Sequence, residues 1–498
     1  NSSAASDVYK RQYLLIERKD MYKMKKLLSG LLSVLLLATV MISPIYAIEA
    51  ETVNFDLQST VYDDGEAIDT VILDVSNLDV DETRINKDMF NIHAVSSSIY
   101  TLEQEREFFG DDSKHGLQHC GLYEGDRKIE SMELKDGKII LHLVTDSGVS
   151  CKQTLDFTAN FTTEKGCNSL LKIDYTITLN ESLPLKDGRT VNVTFNQNQG
   201  IKNEEIEKFT EGEHNGFKYQ FYTPKNANDG QKHPLIVWFH GGGESGYRGL
   251  HYNNLSQLKA NRGAVSFVSD EAQKIFDGAY VLAPQTPHEW SENLNDAKDL
   301  IEYIVQNNNV DTARIYVYGC SAGGYMTLDM VVHNPDLFAA AVVTCPAIDQ
   351  KNINTYGQGR QITDEEIKAI DTPVWLVQAK DDTTVKYEES ALRVYNLLKD
   401  KGAILSTYET GGHSSWIYTA NNDPIYNGEH VWQWTARQTL TSVNNQTVPD
   451  TKSEKITSVK TGDTTSSDIY VIVGCVSATI LAHYVLKNKE SIKGKMFN

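Results

Sequence analysis

The stretch Ile315-Tyr316-Val317-Tyr318-Gly319-Cys320-Ser321-Ala322-Gly323 decides the fold of this 498-residue chain. Its first four residues are β-branched or aromatic, which predicts a buried strand, and a helical stretch opens from Tyr325. Glycines two positions before and two positions after Ser321 let the backbone turn sharply between strand and helix. Such a turn lifts the serine hydroxyl clear of the sheet, so the stretch predicts a nucleophile at a strand end.

The sequence from residue 204 to 438 alternates short apolar strands with amphipathic helices. Leu294, Ala297, Ile301 and Ile304 form the apolar stripe of one such helix. Continuous apolar strands are typical of a parallel sheet covered on both faces. The predicted strands are Pro234 to Phe239, Tyr280 to Ala283, Arg314 to Tyr318, Ala339 to Thr344, Pro373 to Val377 and Ala403 to Tyr408.

Two loops downstream of Ser321 carry an acid and a histidine in the chain order Ser, Asp, His. Asp381 and Asp382 both follow a predicted strand, and either can orient a histidine at this stage. His413 follows the last predicted strand within Gly411-Gly412-His413 and has an ordinary pKa suited to taking up the serine proton. The other candidate histidines do not follow such a strand, and we therefore expect them to have structural or solvated roles: His288, His333 and His430.

A glycine-rich turn supplies backbone donors for a developing oxyanion. Val237-Trp238-Phe239-His240-Gly241-Gly242-Gly243 ends an apolar strand with three glycines, and no Gly-Lys-Ser or Gly-Lys-Thr follows to indicate a phosphate loop. The N–H groups of Gly242 and Gly243, with that of Ala322, are the predicted oxyanion hole. No metal-ligand cluster and no cofactor loop is found in the sequence, so we expect neither a metal nor a cofactor.

These motifs together resemble a known family across about residues 205–438. The region is similar to secreted bacterial esterases of the feruloyl esterase, acetylxylan esterase and polyhydroxybutyrate-depolymerase type, and to the catalytic domains of prolyl oligopeptidases. Ala283-Pro284-Gln285, the run from Val310 to Tyr316 and a terminal helix with Trp432 also carry the resemblance. The resemblance implies an α/β-hydrolase fold and a Ser321, Asp382 and His413 triad, because that family places its acid three residues before a valine, here Val385.

Residues 48–203 have the period of antiparallel strands. Leu171 to Leu179 alternates apolar and polar residues, as does Val191 to Phe195, so one face of each strand is buried. Thr70 to Val75 and Lys138 to Val144 are further predicted strands, separated by turn signals. The pattern predicts a β-sandwich of immunoglobulin-like type, a domain that some relatives of the resembled family carry in front of the catalytic region.

Both ends of the chain carry export and anchoring signals. Residues 1–47 are predicted to be leader and signal peptide, with an uncleaved anchor helix as the alternative. Residues 439–468 are predicted to be a flexible stalk, 469–486 a transmembrane segment and 487–498 a basic cytoplasmic tail. A threonine–glycine junction near Thr461 resembles the sorting signal of Gram-positive surface proteins without its leucine and proline, so we favour a plain membrane anchor and a cell-surface location.

Charge and cysteine content exclude some classes of function. The net charge of −20 argues against nucleic-acid binding, because phosphate would be repelled. Six cysteines are too few for disulfides to be the main scaffold of a secreted chain of this size. Cys320 and Cys345 are candidates for a disulfide at the sheet edge, and Cys120, Cys151 and Cys167 leave one pair and one free thiol as an option.

The substrate is predicted from the room around the site. The connection between Cys345 and Pro373 is too short for a large lid, which favours a bulky or polymer-linked ester. Trp290 and Trp416 are predicted to form an aromatic shelf for a sugar or aryl ring, with plain packing as the alternative. We therefore expect an extracellular serine carboxylic-ester hydrolase acting on polysaccharide-linked esters. The alternatives are a prolyl-oligopeptidase-like peptidase and a non-catalytic carbohydrate-binding surface protein.

Overall fold

A computed structural model describes residues 50–110, 117–146, 148–160, 165–246, 250–348 and 361–440. The predicted signal peptide, transmembrane segment and tail lie outside these ranges, as does all but the start of the predicted stalk. Within the ranges, no helix is both long enough and apolar enough to cross a bilayer. The described residues from Thr52 onward form one compact unit.

Residues 51–202 form two five-stranded sheets around a shared apolar core. The strands are β1 Glu51–Tyr62, β2 Gly65–Asp74, β3 Phe90–Ser98, β4 Gln118–His119, β5 Glu124–Arg127, β6 Ile129–Lys135, β7 Lys138–Leu143, β8 Leu155–Asn160, β9 Lys165–Leu179, β10 Leu183–Pro184, β11 Thr190–Val191 and β12 Val193–Lys202. The α-helix α1 Leu102–Phe109 lies among the described residues of this region. Sheet order is β12-β1-β2-β7-β6 in one and β4-β8-β9-β3-β5 in the other, with antiparallel pairing at β1–β2, β2–β7, β7–β6 and throughout the second sheet. The short strands β10 and β11 pair with each other outside these two sheets.

The antiparallel sheets agree with the predicted strand pattern, with two differences in extent. The strand expected at Leu171 to Leu179 begins earlier, at Lys165, and the one expected at Val191 to Phe195 is divided between β11 and β12. Inward-facing residues such as Leu57, Val71 and Ile92 pack into the common core. The immunoglobulin-like assignment of this region stays a prediction.

The rest of the described chain is built on one eight-stranded sheet. Its strands are β13 Phe209–His214, β14 Phe217–Tyr222, β15 His233–Phe239, β16 Tyr280–Pro284, β17 Val310–Cys320, β18 Ala340–Thr344, β19 Val374–Ala379 and β20 Ile404–Tyr408, followed by the small pair β21 Ile425–Tyr426 and β22 Glu429–His430. The order of the strands in the sheet is β13-β14-β16-β15-β17-β18-β19-β20, with antiparallel pairing at β13–β14 and β14–β16 and parallel pairing from β16 to β20.

Helices cover both faces of this sheet because successive residues of its strands point to opposite sides. Leu235 and Val237 of β15 belong to one apolar core, and Ile236 and Trp238 belong to the other. The helices are α2 Ser256–Lys259, α3 Asp270–Ile275, α4 Leu294–Asn307, α5 Ala322–His333, α6 Asp364–Ala369, α7 Ala391–Leu398, α8 Trp416–Ala420 and α9 Val431–Ala436. This strand order and layering is the α/β-hydrolase fold, as predicted.

Candidate active site

Ser321 lies on the tight turn between β17 and α5. Its φ of +54° is unusual for a residue with a side chain. The tight turn also needs the glycines two positions before and after it, Gly319 and Gly323. A Cβ on Gly323 would overlap the carbonyl oxygen of Phe239, and a Cβ on Gly319 would overlap that of Gly323. The Ser321 N–H donates to the carbonyl of Thr344 at 3.0 Å, so the next strand holds the turn in place.

His413 joins Ser321 to Asp382. The imidazole Nδ1 lies 2.9 Å from Asp382 Oδ2, and Nε2 lies 2.9 Å from Ser321 Oγ. Because the carboxylate can only accept, Nδ1–H donates to it, which leaves Nε2 free to accept the serine hydroxyl proton. The imidazole and the carboxylate are both buried, so water does not compete for their hydrogen bond. The structure therefore brings the three predicted residues into one hydrogen-bonded relay.

The charge of His413 depends on two opposing effects. Burial alone lowers the pKa of this imidazole, but the neighbouring Asp382 carboxylate outweighs it and raises the pKa well above its usual value. Asp382 is itself held by the backbone N–H groups of Thr384 and Val385, which donate to Oδ1 at 3.0 and 2.9 Å, and by Gln378. The Asp382 carboxylate is therefore positioned to stabilise the imidazolium form of His413 during the reaction.

The adjacent aspartate has a separate place in the structure. Asp381 is exposed, and its Oδ1 accepts the backbone N–H of Gly412 at 2.7 Å. Gly411 and Gly412 both have positive φ, of 147° and 55°, so the loop before His413 turns where other side chains would be strained. Asp381 holds this histidine loop, whereas Asp382 is the carboxylate that contacts the imidazole.

The predicted oxyanion donors divide into two groups. Gly242 faces the start of α5, since a Cβ placed on it would lie 4.0 Å from the Cβ of Ala322. The Ala322 N–H is at the first turn of α5, where the helix dipole favours negative charge. Gly243 lies against the sandwich instead, with the side chains of Asn168 and Phe157 beside it. Gly242 and Ala322 are therefore placed next to the nucleophile, and Gly243 is placed at the domain contact.

His240 supports the glycine turn in its neutral form. Its Nε2 accepts the N–H of Thr286 at 3.1 Å, so the proton is on Nδ1, which donates to the carbonyl of Gly241 at 2.6 Å. Burial lowers the pKa of His240 to about 4, consistent with this structural role. The histidine of the glycine turn thus fixes the backbone conformation from which the oxyanion donors project.

The predicted aromatic shelf is not formed. Trp290 is 0% exposed, packs against Phe239 and donates its indole N–H to the carbonyl of His240 at 2.9 Å. Trp416 is 3% exposed and meets the ring of His413 edge-on at 5.6 Å. Both indoles are therefore buried beside the site and present no exposed face to a sugar or aryl ring.

Cys345 is a contact of His413 that sequence reasoning did not assign. Its thiol, the Asp382 carboxylate and the imidazole place one ligand atom each within 4.8 Å of one another, which within the described ranges is the arrangement nearest to a metal site. Burial raises the pKa of the Cys345 thiol, although His413 opposes this effect. The candidate disulfide between Cys320 and Cys345 is not formed. The described cysteines are free thiols: Cys120, Cys151, Cys167, Cys320 and Cys345.

Comparison with known proteins agrees with this geometry. A model of the prolyl oligopeptidase family matches residues 288–358. Dipeptidyl peptidase 8 of mouse and of human each match at 24% identity over 131 residues, or 25% of this chain, and the match spans only 15% and 14% of those proteins. A solved thermostable esterase matches with a TM-score of 0.57 and 24% identity, covering 79% of this chain and all of that one.

The similarities define the class of the protein. The match to the thermostable esterase covers 79% of this chain and places it in the α/β-hydrolase fold. The family match and the hydrogen-bonded Ser321, His413 and Asp382 together support a serine hydrolase. Both peptidases and esterases are among the similar proteins, and the choice between these two activities belongs to the proposal below.

Proposed function

We propose that this protein is a serine carboxylic-ester hydrolase that works through an acyl-enzyme. The observation that carries the proposal is the position of His413, 2.9 Å from both Ser321 Oγ and Asp382 Oδ2. A serine hydroxyl is a weak nucleophile unless a base takes its proton as it attacks, and this geometry supplies that base.

The proposed reaction has two stages. Ser321 Oγ attacks the ester carbonyl carbon while its proton passes to His413 Nε2, and the carbonyl oxygen becomes an oxyanion near the N–H groups of Ala322 and Gly242. Collapse of this intermediate breaks the bond to the alcohol, which leaves with the proton from His413. Water then attacks the acyl-serine by the same route and releases the acid, restoring the hydroxyl of Ser321.

Two features favour an ester over a peptide. The structural match that covers the whole of its partner chain is to an esterase, whereas the dipeptidyl peptidase 8 match covers about one-seventh of that protein. A prolyl-oligopeptidase-like peptidase would normally carry a large domain that restricts access to its active site to peptides. The described region in front of the catalytic sheet is instead a small β-sandwich. A peptidase remains the second candidate, favoured by the family match at residues 288–358.

The cellular setting is part of the same proposal. The predicted export signal and anchor would place the enzyme on the outer surface of a Gram-positive-type membrane, where decorated polysaccharides carry acetyl and aryl esters. No nucleic-acid partner is proposed, given the net charge of −20. With Trp290 and Trp416 buried, recognition of a sugar or aryl group would have to use other surfaces.

A substrate panel tests the proposal. Purified protein should hydrolyse p-nitrophenyl acetate and at least one of methyl ferulate and acetylated xylan, and a fluorophosphonate probe should label Ser321. The Ser321→Ala variant should lose both the labelling and several orders of magnitude in kcat while staying folded. Cleavage of a proline peptide without any ester hydrolysis would overturn the esterase assignment. A protein that neither reacts with the probe nor turns over any substrate would favour the non-catalytic alternative.

A further inference from the structure

The β-sandwich reaches the catalytic region through a buried hydrogen bond. Asn168 of β9 donates its side-chain N–H to Glu244 Oε1 at 2.7 Å, and both side chains are within 1% of full burial. Glu244 ends the short 3₁₀ turn Gly242–Glu244, whose first two residues are the predicted oxyanion glycines. A residue of the sandwich therefore contacts the turn that would stabilise the transition state.

The Glu244 carboxyl and the nucleophile both lie close to Gly241, the glycine that precedes this turn. A Cβ placed on Gly241 would be 3.3 Å from Glu244 Oε2 and 3.8 Å from the Cβ of Ser321, so both residues lie against the same glycine. The Glu244 backbone is fixed as well, since its carbonyl accepts the side-chain N–H of Gln285 at 2.8 Å. A movement of the Glu244 side chain would therefore displace the glycine backbone beside the nucleophile.

A buried carboxyl in this place needs a partner. Burial raises the pKa of Glu244 to about 7, so much of it is neutral near physiological pH. The Asn168 amide compensates for the lost hydration of Glu244 Oε1. Phe157 of β8 packs beside Gly243, next to the Asn168 side chain, and supplies the apolar part of the contact between the sandwich and the turn. Without the amide, we expect the carboxyl to turn toward water and the glycine turn to loosen.

We propose that Asn168 is a positioning residue for the reaction, acting through Glu244 to hold the oxyanion turn, and that the sandwich is thereby an integral part of the active centre. The proposal rests on the proposed function, because it assigns Asn168 to the geometry of that same site. Asn168 does not itself contact the reacting atoms.

An ion pair across the same domain boundary offers a matched control. Lys259 Nζ lies 2.7 Å from the buried carboxylate of Glu66 in β2, and neither of these residues is part of the oxyanion turn. Replacing Lys259 by Met weakens the docking of the sandwich without touching Glu244. A general loosening of the boundary would affect Lys259→Met and Asn168→Ala alike, whereas loss of positioning would affect only the second.

The experiment compares Asn168→Ala, Lys259→Met and Glu244→Gln in the full protein with p-nitrophenyl acetate. We expect Asn168→Ala to lower kcat about 10- to 100-fold, less than direct loss of an oxyanion donor, with KM changed less than about twofold. Its affinity for a trifluoromethyl ketone, which forms a tetrahedral adduct on Ser321, should fall in parallel with kcat. Glu244→Gln keeps a neutral acceptor for Asn168, so its loss of kcat should be smaller than that of Asn168→Ala. Lys259→Met, outside the oxyanion turn, should retain most of the wild-type kcat.

Each contrary result has a separate meaning. Equal losses in Asn168→Ala and Lys259→Met, or a rise in KM with kcat unchanged, would overturn the positioning role. A Glu244→Gln variant as impaired as Asn168→Ala would overturn the role of the neutral acceptor. Thermal unfolding checks the fold, and Asn168→Ser, too short to reach Glu244, repeats the test if the alanine variant unfolds. A wild type that does not react with a fluorophosphonate would refute the proposed function instead.

Discussion

Replacing Asp382 by Asn tests whether Asp382 Oδ2 must accept the hydrogen bond from His413 Nδ1. Asp382 Oδ1 accepts two backbone N–H groups, from Thr384 and Val385, so the amide carbonyl of an asparagine would occupy that position and its NH₂ group would take the place of Oδ2. The NH₂ group would then face His413 Nδ1, 2.9 Å away in the wild type, and would favour the tautomer protonated at Nε2. An imidazole in that state cannot take the proton of Ser321.

The expected loss is large and specific. We predict a fall in kcat of about 10⁴-fold, equivalent to a barrier increase of about 5.4 kcal/mol, with little change in KM. Steady-state hydrolysis of p-nitrophenyl acetate measures both constants. Asp381→Asn is the matched control: its amide oxygen can still accept the Gly412 N–H, so kcat should stay within about threefold of wild type. A variant at Asp382 that keeps a tenth of the activity, or a larger loss at Asp381, would refute the reasoning.

Three further predictions concern the base, the nucleophile turn and the buried indole. Burial lowers the pKa of His413, but the Asp382 carboxylate raises it by more, so the pKa lies above its usual value of 6.5. Because only the neutral imidazole accepts a proton, kcat/KM should rise with pH with a midpoint above 6.5, and a midpoint below that value in the pH–rate profile would contradict the assignment. Gly323→Ala should lower the free energy of unfolding by about 1–3 kcal/mol and impair kcat, because the added methyl group meets the carbonyl of Phe239; an unchanged denaturation midpoint would count against this packing. Trp290→Phe should cost about 1–3 kcal/mol of stability by leaving the His240 carbonyl unpaired, with the ratio of aryl-ester to alkyl-ester turnover unchanged; a selective loss of aryl esters would restore the shelf interpretation.

Local pattern was sufficient for the elements of the catalytic region. The apolar runs predicted as strands are observed with shifts of one to a few residues, as at Val310–Cys320 and Val374–Ala379, because buried parallel strands must be continuously apolar. The same pattern placed Ser321 and His413 in loops after strands, and parallel strands end at one edge of the sheet. The 2.9 Å distance between Ser321 Oγ and His413 Nε2 depends on that topology, because the sequence of either loop alone does not predict the contact.

Side-chain environments could not be inferred from the sequence in the same way. Trp290 and Trp416 have the residue type of a sugar shelf, but burial depends on which neighbours the folded chain brings, and here those are core residues and His413. Cys320 and Cys345 are near in topology, yet they remain thiols. Whether two side chains meet depends on distances and angles that residue identity does not contain.

The order and spacing of apolar runs, glycines and polar loop residues determined the α/β-hydrolase fold and the position of the serine turn, since strand period and backbone freedom are properties of short segments. The residue pattern alone left Asp381 and Asp382 open and the family resemblance favoured Asp382, whereas the tertiary structure shows directly that Asp382 contacts His413. Only the tertiary structure placed Asn168, from a strand 76 residues before Glu244, against the oxyanion turn. Such pairings arise from the packing of distant segments into one compact unit, where burial makes each polar group seek the partner that the fold places within reach.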